Sequence, residues 1–251
     1  MLFLAAMVGL VMARDLLLLF VFWDLTMVTS YFLIGYDRQR REAMSSALMP
    51  LLVTGVASIF FLVAILLLHA VYGTFSVSDL VARAKSGALL AGAGILVMVA
   101  AMAKSAQVPL HFWLPRAMVA PTPVSAYLHS AAMVAAGVFL LERLYPLLRP
   151  SGALLDGLLA VGIASMLIGG VLALTQDVLK QLLAYSTVAQ YGYVVAMLGL
   201  GGTAGVAGVS LYVMAHALAK SALFLVAGAV MEATGEERLS NLGGWEEVCR
   251  C

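Results

Sequence analysis

Seven stretches of this chain run for about twenty residues with scarcely a charged side chain: Leu16 to Gly35, Met44 to Ala70, Ala88 to about Trp113, Thr122 to Leu144, Leu154 to Thr175, Leu182 to Leu200, and Ala204 to Met231. A helix rises about 1.5 Å per residue, so about 20 residues cross a hydrocarbon core of about 30 Å. Each stretch therefore predicts a membrane-spanning helix. An eighth apolar run, Met1 to Ala13, is too short to cross. It has no basic head and no small-residue cleavage site, so it reads as a partial membrane helix and not as a secretory signal. The pattern predicts one transmembrane domain over residues 1–251, an all-α polytopic helix bundle.

The polar residues between these runs set the connections. Tyr36-Asp-Arg-Gln-Arg-Arg41-Glu42 is the most basic loop. The preference of Lys and Arg for the cytoplasmic side places it there, and alternation then places Arg116, Lys180 and the Glu232 to Arg250 tail with it. Arg14, Arg83, Lys85, Arg143 and Arg149 fall on the opposite side. Composition agrees with the pattern: 63% of residues are hydrophobic and 11% charged, and mean hydropathy is +1.04. That is a chain dissolved by lipid. A net charge of +1 provides no basic field for nucleic acid. Cys249 and Cys251 have no further Cys or nearby His to complete a structural disulfide or a metal site.

Against this background a few ionisable residues stand out. Lys104 interrupts the third apolar run at a depth where a lysine costs roughly 2.5 to 3.5 kcal/mol to insert. Pro109 and Pro115 bracket Leu-His-Phe-Trp-Leu just beyond it. Proline deletes a helical hydrogen bond, so the run predicts a helix broken within the membrane, whose freed backbone groups need protein or water. A kink serving packing alone is the plainer alternative. Asp24 lies near the centre of the first full span and is too short to snorkel. Lys104, of opposite sign and similar depth, is its natural partner. A structural ion pair locking two helices is the competing reading.

His129 shares a helical face with Ser125 and Met133 at four-residue spacing. A lone histidine there is usually a core residue, but imidazole titrates near neutrality and passes protons either way. His216 and Lys220 stand one turn apart, and each disfavours the other's charge. Lys180, at the start of the sixth span, fits either an interfacial lysine or a buried relay group. His111 follows Lys104 by seven residues and so by nearly the same face, whereas His69 reads as interfacial. Unpaired, Asp24, Lys104 and Lys220 would together cost roughly 8 to 10 kcal/mol, comparable with a protein's net stability of about 5 to 15 kcal/mol. They must be paired or wet, and a row of titratable groups in a wet corridor is the composition of a proton relay. Other chemistry is missing from the pattern: the chain has no Gly-rich phosphate loop, no His-Glu metal spacing and no nucleophile placed with a base. No cofactor or metal is expected.

Several of these residues lie in motifs. They are Phe22-Trp-Asp-Leu-Thr26, Lys104-Ser-Ala-Gln-Val-Pro-Leu-His-Phe-Trp-Leu-Pro115, Ala120-Pro-Thr-Pro-Val-Ser-Ala-Tyr-Leu-His129-Ser-Ala-Ala-Met-Val134, Leu183-Ala-Tyr-Ser-Thr187 and His216-Ala-Leu-Ala-Lys220. Over practically the whole chain they resemble the antiporter-like membrane subunits. That family joins Mrp-type sodium/proton antiporters to proton-pumping subunits of NADH:quinone oxidoreductase and membrane-bound hydrogenases. The Ala120 to His129 wording, and Glu232-Ala-Thr-Gly235 followed by Asn241-Leu-Gly-Gly, look most like the large A-type subunit of the Mrp antiporters.

The resemblance implies two inverted five-helix units, each with a broken helix, joined by a polar axis at the membrane midplane. This chain would hold the first unit, with its one broken helix, and part of the second. By similarity Lys104 is the lysine of the first broken helix, Asp24 takes the place of its regulatory glutamate, and Lys180 matches the central lysine. His129, His216 and Lys220 are then connecting relay groups. Asp24 is one methylene shorter than the glutamate, so its contact with Lys104 is expected to be longer or water-bridged. The chain starts within what resembles the fourth helix and stops before the second broken one, as a fragment or split subunit would. The implied activity is proton translocation coupled to Na+ antiport, with Asp24 holding the Lys104 proton until the pair weakens. Partners would be sister membrane subunits in the inner (cytoplasmic) membrane. A respiratory proton-pumping subunit is the alternative within the family. A non-transporting structural subunit is the rival outside it, and a substrate-binding redox subunit ranks third.

Overall fold

The computed structural model describes residues 1–37, 39, 41–85 and 87–242. Arg38, Arg40, Cys249, Cys251 and the two glycines of Asn241-Leu-Gly-Gly lie outside the described residues. The chain winds as α1 (Leu2–Met12), α2 (Leu16–Ile34), α3 (Arg41–Tyr72), α4 (Val77–Arg83), α5 (Ala88–Lys104), α6 (Trp113–Arg116) and α7 (Thr122–Ala126). A π-helical segment, Tyr127–Ala132, leads into α8 (Met133–Arg143) and α9 (Tyr145–Leu148). Three long helices follow: α10 (Gly152–Leu174), α11 (Leu179–Leu200) and α12 (Gly202–Thr234). Six helical stretches are long and apolar enough to cross a membrane, and α1 and α5 are shorter apolar helices. The chain is a multi-pass membrane protein built as a helical bundle.

Helix α2 shows why lipid surrounds it. Its inner stripe of Leu16, Leu19, Trp23, Thr26 and Ser30 is buried. Its outer stripe of Leu17, Leu18, Val21, Leu25, Val28 and Phe32 is equally apolar and exposed. A helix apolar on both faces is soluble only in hydrocarbon. It begins where the Asp15 carboxylate accepts the Leu17 and Leu18 amides at 2.8 and 3.1 Å, which satisfies donors a helix start leaves open. Helices α10 and α11 pack closely along their length. A Cβ on Gly162 would stand 2.4 Å from the Ala196 amide nitrogen, so only glycine permits this approach, as is usual where membrane helices touch.

One end of the bundle gathers Ser46 of α3, Arg116 of α6, Lys180 of α11 and Glu237 beyond α12. The other carries a bridge between Asp15 and Ser76 and the bond from the Arg143 guanidinium to the Ala13 carbonyl at 3.2 Å. This sorting of ends agrees with the alternation expected from the loops.

After α12 stops at Gly235, whose φ of 72° is left-handed, the chain turns back onto the α10–α11 connection. The Leu239 amide donates to the Asp177 carbonyl at 2.7 Å and the Leu179 amide to the Glu237 carbonyl at 3.1 Å. The Ser240 amide and hydroxyl each donate to the Asp177 carboxylate at 2.9 Å, and Arg238 stands 3.9 Å away. The Ser240 bonds, with a smaller contribution from Arg238, hold the Asp177 carboxyl below the usual carboxylate range. A depressed folded-state pKa stabilises above the unfolded value of about 3.9 and loses that contribution as pH falls through the folded value. Amide exchange at Leu239 and Ser240 is therefore expected to accelerate below about pH 4. Asp177→Asn is expected to show the faster exchange already at neutral pH.

Candidate functional site

The third apolar run keeps helical form only as far as Lys104 and does not continue to about Trp113 as its hydropathy suggests. Ala106 is left-handed, with φ 50°, a conformation costing about 1–3 kcal/mol in a residue with a Cβ. Hydrogen bonds to α8, to α10 and within the broken segment satisfy several polar groups around the break. The Ser105 hydroxyl donates to the Val134 carbonyl at 2.8 Å, the Val108 amide to the Ser165 hydroxyl at 3.0 Å, and the Trp113 indole to the Ala103 carbonyl at 2.9 Å. Gly137 of α8 admits this packing, since a Cβ there would lie 2.3 Å from the Ala101 carbonyl oxygen. Because the chain leaves the helix at Lys104, the seven-residue spacing does not bring His111 to the same face. His111 is half-buried instead, beside the Tyr185 ring at 6.4 Å.

Lys104 is fully buried at the end of α5. Its ammonium donates to the Trp23 carbonyl at 3.0 Å and lies 4.7 Å from the centre of the Trp23 ring, a cation–π arrangement that favours its charge. The expected pair with Asp24, one residue along, is not a contact. Asp24 is half-buried and accepts a hydrogen bond of 2.6 Å from Ser58 of α3, whereas the Lys104 ammonium bonds Trp23. The reason is rotation: successive residues of a helix point about 100° apart, so the carbonyl and ring of Trp23 meet Lys104 while Asp24 turns toward α3.

His129 is fully buried, with its ring centre 6.2 Å from that of Trp113. Neither ring nitrogen has a hydrogen-bond partner. It sits inside the π-helical segment, where i→i+5 winding replaces the α register. Ser125, His129 and Met133 nevertheless all face inward, each fully buried. The π winding also joins two other helices. The Ser130 hydroxyl meets the Ser221 hydroxyl at 2.7 Å, and the Tyr191 hydroxyl reaches the Ser130 carbonyl at 3.5 Å.

Lys220 and His216 do share one face of α12, 1% and 5% exposed. The Lys220 ammonium donates to the Leu183 carbonyl at 3.1 Å. The His216 ring bonds Gln190 through Nδ1 and packs edge-on against Tyr191 at 4.8 Å. Lys180 is buried, and donates to the Ala120 carbonyl at 3.2 Å.

Buried amines and imidazoles thus come from four elements, Lys104 on α5, His129 on the π segment, Lys220 and His216 on α12, and Lys180 on α11, and Asp24 on α2 is half-buried. The hydroxyls that follow His129 and Lys220 in sequence, Ser130 and Ser221, touch one another. Ser58, Ser130, Tyr191, Gln190 and Ser221 were not expected from the sequence. Their one signal is a polar side chain on an inward face of an apolar helix. Among the described residues no cluster of His, Cys, Asp and Glu could hold a metal ion.

Known proteins share much of this sequence and fold. A probable K(+)/H(+) antiporter A/B subunit of Rhizobium meliloti (strain 1021) is 38% identical over 245 residues, covering 96% of this chain and 24% of that protein. The structure of the Mrp complex from Dietzia sp. DQ12-45-1b includes a chain with TM-score 0.94 and 39% identity, covering 99% of this chain and 28% of that one. The membrane-bound sulfane sulfur reductase, an archaeal respiratory membrane complex, includes one with TM-score 0.90 and 26% identity, covering 97% of this chain and 51% of that one. This chain spans about a quarter of the length of the Rhizobium relative. The family described as "NADH:quinone oxidoreductase/Mrp antiporter, TM" matches residues 13–248, and the chain belongs to that family.

Proposed function

We propose that this chain carries protons across the inner (cytoplasmic) membrane in exchange for a monovalent cation, within a multi-component antiporter whose large A-type Mrp component it most resembles. Protons pass along Lys104, His129, Lys220 and His216, with Lys180 as a further relay group and Asp24 acting on Lys104 through space. The observation supporting this reading is the set of buried amines and imidazoles on separate helices, two of which, the π segment and α12, meet at the Ser130–Ser221 contact. Na+ is the cation the Mrp likeness suggests, and K+ is the one in the name of the Rhizobium relative.

Sealed vesicles containing the assembled complex test it. With an imposed pH gradient, adding Na+ or K+ is expected to collapse that gradient, and the cation giving the larger response is the exchanged one. The sulfane sulfur reductase likeness supports a second reading, a proton pump driven by electron transfer. In that case proton uptake follows the electron donor and ignores both cations. A gradient indifferent to cations and to donors overturns transport altogether.

A further inference from the structure

We propose that Trp23 is the positioning residue that seats Lys104 in both of its charge states: its carbonyl and ring face take the ammonium, and its indole Nε1–H takes the neutral amine after the proton has left. This rests on the relay reading above, in which Lys104 passes between those states.

The first seat is occupied in the structure. The Lys104 ammonium donates to the Trp23 carbonyl at 3.0 Å and stands 4.7 Å from the ring centre, within the roughly 6 Å over which a ring quadrupole attracts a cation. The same carbonyl accepts the Thr26 hydroxyl at 2.7 Å. It therefore keeps a side-chain partner when the lysine withdraws, and no buried acceptor is stranded.

The second seat is marked by an unmet donor. Trp23 is 1% exposed, and its Nε1–H is shut off from solvent with no hydrogen-bond partner among the described residues. A buried indole nitrogen usually has one, as the Trp113 indole does in the Ala103 carbonyl. An ammonium offers only donors and cannot satisfy this group, whereas a neutral amine has a lone pair that can. The ring is braced: Phe61 of α3 packs on it at 5.5 Å between centres, and Phe20 packs on Phe61 at 6.0 Å. The lysine, on its flexible four-carbon stem, is the member that moves. A shift of its nitrogen from the face of the ring to the edge exchanges one seat for the other.

Around this contact α2 brings Asp24 and the π segment brings His129. Helices α1, α7 and α9 carry no charged or imidazole group, and α3, α8 and α10 carry theirs only near their ends. Changes confined to the Trp23 ring leave all of these in place.

Two ring replacements at position 23, made within the assembled complex, keep the shape of the side chain and test one seat each. Tetrafluorotryptophan weakens the hold on a cation, so Lys104 should release its proton more readily and the pH of half-maximal flux should fall by about one unit. The benzothienyl analogue of tryptophan has sulfur in place of the N–H, which removes the donor to the neutral amine, so that pH should rise. Shifts in one direction for both, or slower flux with an unmoved pH dependence, overturn the assignment. A reading without transport uses tryptophan labelled with nitrogen-15 at the indole, with the Trp23 signal identified by its loss in Trp23→Phe. Solid-state NMR in bilayers is expected to show that signal moving downfield as pH rises, and staying fixed in Lys104→Met. A signal fixed at every pH, while Lys104→Met abolishes flux, overturns the second seat and leaves the relay standing. A signal that moves as expected, with no flux in the unaltered protein, refutes the relay and leaves the two seats standing.

Discussion

Replacing Lys104 with methionine is expected to abolish cation-dependent proton flux while leaving the protein as stable as before or more so. The two effects separate because they have different origins. An ammonium in the bilayer interior costs roughly 2.5 to 3.5 kcal/mol on the insertion scale, and Lys104 recovers that through one carbonyl bond and one ring contact, both from Trp23. Exchanging buried charges for apolar groups of similar volume is often neutral or stabilising by about 1–4 kcal/mol. Methionine keeps the unbranched chain, one heavy atom shorter, and removes the cost. A lysine whose role is structural gives the reverse result: lower thermal stability in detergent with flux unchanged. Lys104→Ala should also lose flux, but it adds a cavity and so a stability loss that obscures the comparison. Lys104→Arg sharpens it. Guanidinium keeps the charge and stacks well on an indole but does not release its proton in a protein. If flux survives with arginine, Lys104 holds charge for some other purpose and the relay assignment fails.

Asp24 enters this argument with a smaller effect. At an effective dielectric of 20, unit charges about 4 Å apart interact by roughly 4 kcal/mol, falling in inverse proportion to distance. Asp24 is not in contact with Lys104 and bonds Ser58 instead, so its influence lies below that figure. In the proposed relay it modulates the Lys104 charge and does not clamp it. The direct pair anticipated from sign and depth illustrates what the sequence reveals and what it conceals. Sign and depth are legible because lipid penalises every stray charge. Rotation about a helix axis is not, because α2 is apolar on its outer face as well as its inner one, and no polar stripe shows which way residue 24 points.

The same physics divides the rest of the fold. The long spans can be read directly, since a bilayer permits no polar interruption without a partner. The break after Lys104 is announced by Pro109 and Pro115, yet the helix ends five residues before the first proline. Its position depends on hydroxyls and carbonyls of α8 and α10, brought from 29 and 57 residues away. The π segment leaves no compositional trace at all. One extra residue in a turn changes neither hydropathy nor charge, although it decides that Ser130 faces Ser221. Lys180 is a further case. It is buried yet lines a cavity whose rim is exposed, a position that its place at the start of an apolar run does not reveal.

The Ser130–Ser221 contact yields the second large expected effect when it is taken together with Lys220. Lys220→Met should reduce flux by about 100-fold or more, the low end of what a positioned proton-transfer group contributes. The fold should persist, because the Leu183 carbonyl that Lys220 bonds also accepts the Thr187 hydroxyl at 2.8 Å and is not left unsatisfied. Whether the proton reaches Lys220 from the π segment is a separate question that a double-mutant cycle answers. Ser130→Ala and Ser221→Ala each remove one side of a hydroxyl pair. If the proton passes there, either change alone breaks the connection and the double variant is scarcely slower than the singles. Interacting neighbours typically show coupling energies of about 0.5–3 kcal/mol, whereas independent sites add to within about 0.5 kcal/mol. Flux losses that simply multiply would mean the two serines only pack, and would move the path from His129 to Lys220 elsewhere, with the Tyr191 hydroxyl beside the Ser130 carbonyl as the next group to remove.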